Sequence, residues 1–216
     1  MFKYLTREVF MAKIIIQDKV QLALQKSIGW IMAITGAIGT FASLMLSIAE
    51  FHHLKQPAQA LNCDLNPLIG CGSILDTWQG HVLLGVPNQF FGLMAFVAFT
   101  TLGVLLLSGI RFPKWIWQGL QVGVLGGVVF VMWFMFQSLF VLNHLCPYCM
   151  VTWVVVLIAA WYITVYNLSE KHILLPASLR RTGESVVRHH AEILITIFVV
   201  IILGILFRFR AFFFGI

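Results

Sequence analysis

Charged side chains are scarce in this sequence. Asp, Glu, Lys and Arg account for 10% of the 216 residues and hydrophobic residues for 60%, whereas soluble domains carry about 25% charged residues. The chain also lacks an internal repeat, a low-complexity tract and a segment with the composition of an appended soluble domain. These features exclude an ordinary soluble protein and predict one membrane domain with short connections.

Five apolar stretches are long enough to cross a bilayer as helices, since about 20 residues span its hydrocarbon core. The alternation of polar and apolar residues that marks a barrel strand is absent, and a backbone in lipid pairs its amides only within helices or closed barrels. The sequence therefore predicts an all-α integral membrane protein. Its predicted spans are 28–49, 86–108, 116–142, 147–168 and 193–207.

Basic residues predict the orientation of these spans. The first 27 residues carry five basic side chains and no apolar core of a cleavable signal peptide, so we expect the first span to serve as the insertion signal. With the N-terminus in the cytoplasm, eleven of the fourteen Lys and Arg residues lie on the cytoplasmic side, as the positive-inside rule requires. Lys55, Arg208 and Arg210 are the exceptions. The net charge of +6 is then a topology signal and predicts no nucleic-acid partner.

We expect the protein to lie in the cell inner (plasma) membrane. Its predicted orientation there divides the chain into four segments. Residues 1–27 form a basic cytoplasmic segment, and residues 28–168 form a unit of four spans with an external loop at 50–85. A basic cytoplasmic loop occupies 169–191, and the fifth span and the C-terminus occupy 192–216.

The only four cysteines form two pairs on the predicted outer side. Cys63 and Cys71 lie in the external loop, and Cys146 and Cys149 begin the fourth span. Disulfides persist outside the cytosol, whereas the cytosol keeps thiols reduced. The paired positions therefore favour redox chemistry.

His52, His53, His189 and His190 are adjacent pairs without ligand spacing, and no metal site is predicted. His81 and His144 flank the external region, where they would either shuttle protons or be solvated polar side chains at the membrane interface.

The sequence Cys146-Pro147-Tyr148-Cys149 has the features of a redox-active pair. Proline suits the first turn of a helix, so Cys146 is predicted to be the N-cap, where the positive end of the helix favours a thiolate. The alternatives are half of a metal site or two buried cysteines that act as small apolar residues.

The other pair lies among turn-forming residues, which predict that Cys63 is on a mobile external stretch. Residues 73–78 are consistent with a short helix that dips towards the bilayer. A static disulfide that closes a short loop is the structural alternative, worth about 2 to 3 kcal/mol. A loop pair that can reach the helix pair would instead form a thiol–disulfide exchange chain.

The order of these features resembles the vitamin K epoxide reductase family. The resemblance rests on a first span, a loop with two cysteines, the sequence Gly-Val-Pro-Asn-Gln-Phe-Phe-Gly at 85–92, and Cys-x-x-Cys at the start of the fourth span. It implies a four-helix transmembrane bundle around a quinone site, with a fifth transmembrane helix. The shorter bacterial members are quinone-dependent disulfide-bond oxidases that serve a separate thioredoxin-like disulfide carrier, with ubiquinone or menaquinone as the cofactor.

The resemblance also implies roles for the cysteines. Cys63 would be attacked by the partner's thiol, and Cys71 would pass electrons to Cys146. Cys149 would then face the quinone. The alternatives are a vitamin K epoxide or quinone reductase that consumes thiols, and a non-enzymatic membrane protein with structural disulfides.

Quinone contacts are implied in the same way. Thr77 matches the family's hydroxyl position, and Asn88 matches an asparagine that hydrogen-bonds a quinone carbonyl, although Asn88 would equally suit a helix N-cap. Trp153 stands where the animal enzymes have a tyrosine, and an indole lacks a hydroxyl acceptor. Ser73 and Phe91 are further candidate contacts.

Overall fold

The computed structural model describes residues 2–56, 59–173 and 175–215, and these residues are almost entirely helical. A 3-10 turn spans Trp78–His81, and a π-helix, Gln137–Leu142, continues the fourth α-helix. The α-helices of the described residues are α1 (Phe2–Lys55), α2 (Gly72–Leu75), α3 (Asn88–Leu107), α4 (Lys114–Phe136), α5 (Pro147–Ser169), α6 (Ala177–Arg188), α7 (His190–Arg208) and α8 (Arg210–Phe214).

Five of the described segments have the length and hydropathy to cross a membrane, which confirms the predicted all-α fold. They are Gln21–Lys55, Asn88–Leu107, Lys114–Leu142, Pro147–Ser169 and His190–Arg208. The chain is thus a multi-pass membrane protein. The main difference from the sequence prediction is at the first span, because α1 extends on both sides of residues 28–49.

Helices α1 and α3 pack so closely that side chains are excluded from parts of their contact. A Cβ atom on Gly36 would collide with Oγ1 of Thr100 and would lie 2.8 Å from the backbone nitrogen of the same residue. A Cβ atom on Gly103 would lie 2.5 Å from the backbone nitrogen of Ala33. Small residues allow such close approach between membrane helices. Glycine at these positions therefore determines the spacing of α1 and α3.

The remaining contacts leave one side of the bundle open. Helix α1 packs against α3 and α5, and α5 packs against α4, whereas α3 and α4 make little contact with each other. The connection 108–113 joins α3 to α4 at the end remote from the cysteines. A gap therefore separates α3 from α4 beyond this connection.

A buried polar cluster joins α4 to α5 at the opposite end. The fully buried Asn167 donates to the backbone oxygen of Trp117, at 3.1 Å, and to Oε1 of Gln121, at 3.0 Å. Burial lowers the pKa of His172, so its neutral ring can donate from Nδ1 to Oδ1 of Asn167, 3.1 Å away. Paired buried amides stabilise this end of the bundle.

The fifth predicted span, α7, lies at the edge of the bundle, and none of its residues is buried. Its C-terminal end reaches the cysteine-bearing end, where Arg208 donates to Oδ1 of Asn143 and lies against the ring of Phe140. Phe209 follows and belongs to the same buried apolar cluster as Cys63. Arg208, one of the exceptions to the positive-inside pattern, therefore has polar and aromatic partners.

Candidate functional site

The loop that carries Cys63 and Cys71 is fastened to the residue before Cys146 by two backbone hydrogen bonds. Leu145 donates to the oxygen of Leu68, and Gly70 donates to the oxygen of Leu145, both at 2.9 Å. They form an isolated parallel bridge between Ile69 and Leu145. The bridge places the two backbone segments side by side in the same direction. Cys71 and Cys146 follow it and are therefore neighbours.

The carboxylate of Asp64 holds the same loop from within. It accepts hydrogen bonds from the backbone N–H groups of Leu61, at 3.0 Å, Cys71, at 2.8 Å, and Gly72, at 3.1 Å. Burial raises the pKa of Asp64, but these hydrogen bonds outweigh that effect and lower the pKa below its ordinary value. Asp64 therefore ties the two ends of the loop together independently of a disulfide.

Cys63 and Cys71 form a disulfide, and Cys146 and Cys149 are free thiols. The Sγ atom of Cys146 lies 3.7 Å from Sγ of Cys71. All four cysteines are buried, with exposed fractions of 5%, 0%, 1% and 7% in chain order. The structure thus brings the two pairs into contact, with a thiol next to one sulfur of a disulfide. This is the arrangement that thiol–disulfide exchange requires.

Cys63 is buried, which the turn-forming residues around it did not indicate, because the Leu145 bridge and the Asp64 carboxylate fold the loop against the bundle. The location of this loop on the outer side of the membrane stays a prediction. The predicted short helix after Cys71 is confirmed as α2, followed by the 3-10 turn. A thiol from another protein can reach Cys63 only if part of this loop moves.

Cys146 is the N-cap of α5, as predicted. Its Sγ atom accepts a hydrogen bond from the backbone N–H of Cys149, at 3.4 Å, and Pro147 begins the helix. The hydrogen bond with the Cys149 thiol, together with those from backbone N–H groups, lowers the pKa of Cys146 despite its burial. A thiolate is the reactive form in disulfide exchange, so Cys146 is the activated member of its pair.

A cavity of about 700 Å³ lies beside these cysteines. It is lined by residues of α1, α3, α4 and α5, and both free thiols and Cys71 reach its wall. The lining is mostly apolar, with polar groups such as Asn88, Gln89 and Thr152. Cavities of this size and character hold small organic ligands.

Glycines create much of the free space on the α4 side. Gly119, Gly123 and Gly126 line the cavity, and a Cβ atom on any of them would meet no atom within 4 Å. The wall beside the gap between α3 and α4 is therefore flat. The apolar part of a ligand can lie against this wall.

Of the predicted quinone contacts, Asn88, Phe91 and Trp153 line the cavity. Ser73 and Thr77 are not among its lining residues, and the Thr77 hydroxyl donates to the backbone oxygen of Ile74. Trp153 is buried. Contacts of Ser73 and Thr77 with a quinone remain predictions that the cavity does not support.

The Asn88 side chain forms hydrogen bonds between the first residue of α3 and the segment that precedes it. Its Nδ2 donates to the backbone oxygen of Gln79, at 2.6 Å, and its Oδ1 accepts from the backbone N–H of Val82, at 3.1 Å. The alternative that Asn88 is an N-cap is wrong, because Pro87 occupies that position. One N–H of the amide is left for a ligand.

Sequence reasoning missed Gln89 and the α4 glycines. Gln89 is buried and lines the cavity, but its neighbour Asn88 carried the recognisable pattern. The spacing of Gly119, Gly123 and Gly126 at one helical face was the available signal.

Comparison with known proteins agrees with this geometry. The model of the vitamin K epoxide reductase family matches residues 30–164, which include both cysteine pairs, all of α3 and α4, and parts of α1 and α5. A comparison with curated proteins finds no match. The matched region covers more than half of the chain, and the protein therefore belongs to the vitamin K epoxide reductase family.

Proposed function

We propose that this protein is a membrane thiol oxidase that regenerates the disulfide of a thioredoxin-like partner and passes the electrons to a membrane quinone. The family consists of membrane oxidoreductases, which supports the coarser part of this function. The observation that carries the finer part is the 3.7 Å contact between Cys71 of the disulfide and the Cys146 thiol. This contact joins the loop disulfide to the helix pair, Cys146 and Cys149, which lines an apolar cavity.

The reaction begins when a partner thiolate attacks Cys63 and breaks its bond to Cys71. The Cys71 thiolate attacks Cys146 of an oxidised helix pair and releases Cys149. The second partner thiolate then resolves the bond to Cys63, and the partner leaves with its disulfide. Finally, the Cys63 thiolate attacks Cys71 and releases Cys146. This sequence yields the state in the structure, with an oxidised loop pair and a reduced helix pair.

Bound quinone would accept the two electrons of the helix pair, together with two protons, as it becomes quinol. Cys149 would face it, and Asn88 and Gln89 would offer hydrogen bonds at the polar part of the cavity. Trp153, with no hydroxyl, would supply an apolar wall and a single N–H donor. The protein thus supplies position and thiolate activation, and the quinone accepts the electrons.

The proposed orientation places the cysteine-bearing end on the periplasmic or outer side of the cell membrane. It rests on the eleven basic residues assigned to the cytoplasmic side and on the need for an oxidising compartment. In that setting the oxidised partner would introduce disulfides into exported proteins.

Purified protein in lipid nanodiscs, supplied with quinone, tests this function. We expect reduced thioredoxin-like protein and dithiothreitol both to support quinone reduction by the wild type. Cys63→Ala should lose activity with the protein donor and keep it with dithiothreitol, while Cys149→Ala should lose both. Equal loss in the two variants with dithiothreitol would contradict the relay order. Cysteines that never change redox state with quinone would indicate structural disulfides instead.

A further inference from the structure

A buried carboxyl group lies at the cysteine-bearing end of α1, next to the cavity. Glu50 is 5% exposed, and burial of a carboxyl group is costly unless it is paired or protonated. Its Oε1 lies 3.4 Å from Nε2 of His81, and its Oε2 lies 3.5 Å from Nε2 of Gln89. Leu46, about one turn earlier on α1, lines the cavity. The acid is therefore adjacent to the cavity wall.

The contacts of His81 allow it to hold a proton together with Glu50. Nδ1 of His81 lies 3.1 Å from the backbone oxygen of Thr77. A carbonyl oxygen only accepts, so Nδ1 is the donor of that contact. The other ring nitrogen, Nε2, faces the carboxyl group of Glu50 at 3.4 Å, so a proton on either residue lies between them. Glu50 and His81 can therefore hold one transferable proton.

The two residues lie between solvent and Gln89, a residue of the cavity wall. His81 has 26% of its side chain exposed, so it can exchange protons with water. Gln89, on the other side of Glu50, is buried and lines the cavity. The order solvent, His81, Glu50, Gln89, cavity follows from these contacts.

We propose that Glu50 and His81 supply a proton to the quinone oxygen at the Gln89 side of the cavity. This inference rests on the proposed function and assigns its proton donor. Glu50, which does not itself line the cavity, passes the shared proton to the quinone oxygen through a water beside Gln89 and becomes a carboxylate, and His81 takes a replacement from solvent at Nε2. The thiols of Cys146 and Cys149 lose two protons on forming their disulfide, and one of these passes to solvent. Two electrons and two protons therefore reach the quinone, and the dyad returns to its starting state.

Other titratable groups on the neighbouring elements are arranged differently. His53 of α1 pairs with Asp76, which follows α2, at 2.8 Å. Lys55 lies over the ring of Phe51, and His52 is exposed. Among the described residues near Glu50, only His81 is an ionisable group in contact with it.

The test uses full-length protein in nanodiscs and follows three quantities: quinone affinity by tryptophan fluorescence, single-turnover oxidation of the helix pair by quinone, and the infrared difference spectrum between oxidised and reduced protein. In Glu50→Gln we expect unchanged affinity, a loss of about 100-fold in turnover rate, the scale of general acid catalysis, and a flattened pH profile. The infrared signal of the Glu50 carboxyl group should disappear. Glu184→Gln, which alters an exposed acid of α6, is the matched control.

If Glu50→Gln does not fold, a second variant tests the same proposal. His81→Ala should slow turnover, and added imidazole should restore it because it replaces the path to solvent. An unchanged rate and pH profile in both variants would overturn the proposal while the proposed function stands. A wild type that reduces no quinone would refute both, and the infrared signal would still show whether Glu50 and His81 share a proton.

Discussion

Glycine forms two surfaces with opposite properties in this bundle. At the contact of α1 with α3, a Cβ atom on Gly36 or Gly103 would collide with backbone atoms of the facing helix. On α4, a Cβ atom on Gly119 or Gly123 would meet nothing within 4 Å. The first surface closes the bundle, whereas the second keeps a cavity open beside the cysteines. A missing side chain thus serves packing on the first surface and leaves space for a ligand on the second.

The largest expected effect is at the closed surface. Gly36→Leu should cost at least about 3 kcal/mol, the upper range for overpacking, because the new side chain would force α1 away from the backbone of Thr100. Thermal unfolding in detergent and the yield of monodisperse protein measure this loss. Gly204→Leu on α7, where a Cβ atom meets no neighbour within 4 Å, is the control. Equal stability of the two variants would show that the α1–α3 contact tolerates separation.

The open surface should respond in affinity and not in stability. Gly123→Leu places a side chain in the cavity, so we expect unchanged unfolding and a loss of quinone affinity of about tenfold, or about 1.4 kcal/mol. Fluorescence titration with a short-chain quinone gives the dissociation constant. The Gly204→Leu variant should bind like the wild type. Retained affinity in Gly123→Leu would mean that quinone does not use this wall.

The sequence was sufficient to predict the spans and the N-cap role of Cys146, because hydropathy and the Cys-Pro pattern are local signals. It could not distinguish Gly36 from Gly123, since their difference lies in the neighbouring helix. Nor could it predict the bridge between Ile69 and Leu145. Two hydrogen bonds between distant loops leave no periodic pattern. Burial of Cys63 depends on this bridge and was therefore missed.

A smaller effect is expected in the loop that carries Cys63 and Cys71, where hydrogen bonds to Asp64, and not glycines, determine the geometry. Because the pKa of Asp64 is lowered in the fold, its stabilisation of the loop is present above the ordinary carboxyl pKa and is lost as pH falls through the lowered value. We expect phosphine reduction of the Cys63–Cys71 disulfide to accelerate over this acidic range by about fivefold, the scale of one hydrogen bond of about 1 kcal/mol.

Asp64→Asn is the matched variant for this prediction, since it keeps the shape of the side chain and removes its charge. It should show faster reduction at neutral pH and a weaker acceleration in acid. The same acceleration in both proteins would assign the effect to another group.

The exchange between Cys71 and Cys146 is tested most directly by cross-linking in two double variants. Cys63→Ala/Cys149→Ala leaves the two sulfurs that lie 3.7 Å apart in the wild type, and Cys71→Ala/Cys149→Ala leaves Cys63 with Cys146 as the control. After mild oxidation, mass spectrometry of unreduced peptides measures the intramolecular disulfide in each. We expect the Cys71–Cys146 disulfide in most molecules of the first variant and little cross-link in the second. Equal yields, or a higher yield through Cys63, would contradict electron transfer through Cys71 and Cys146.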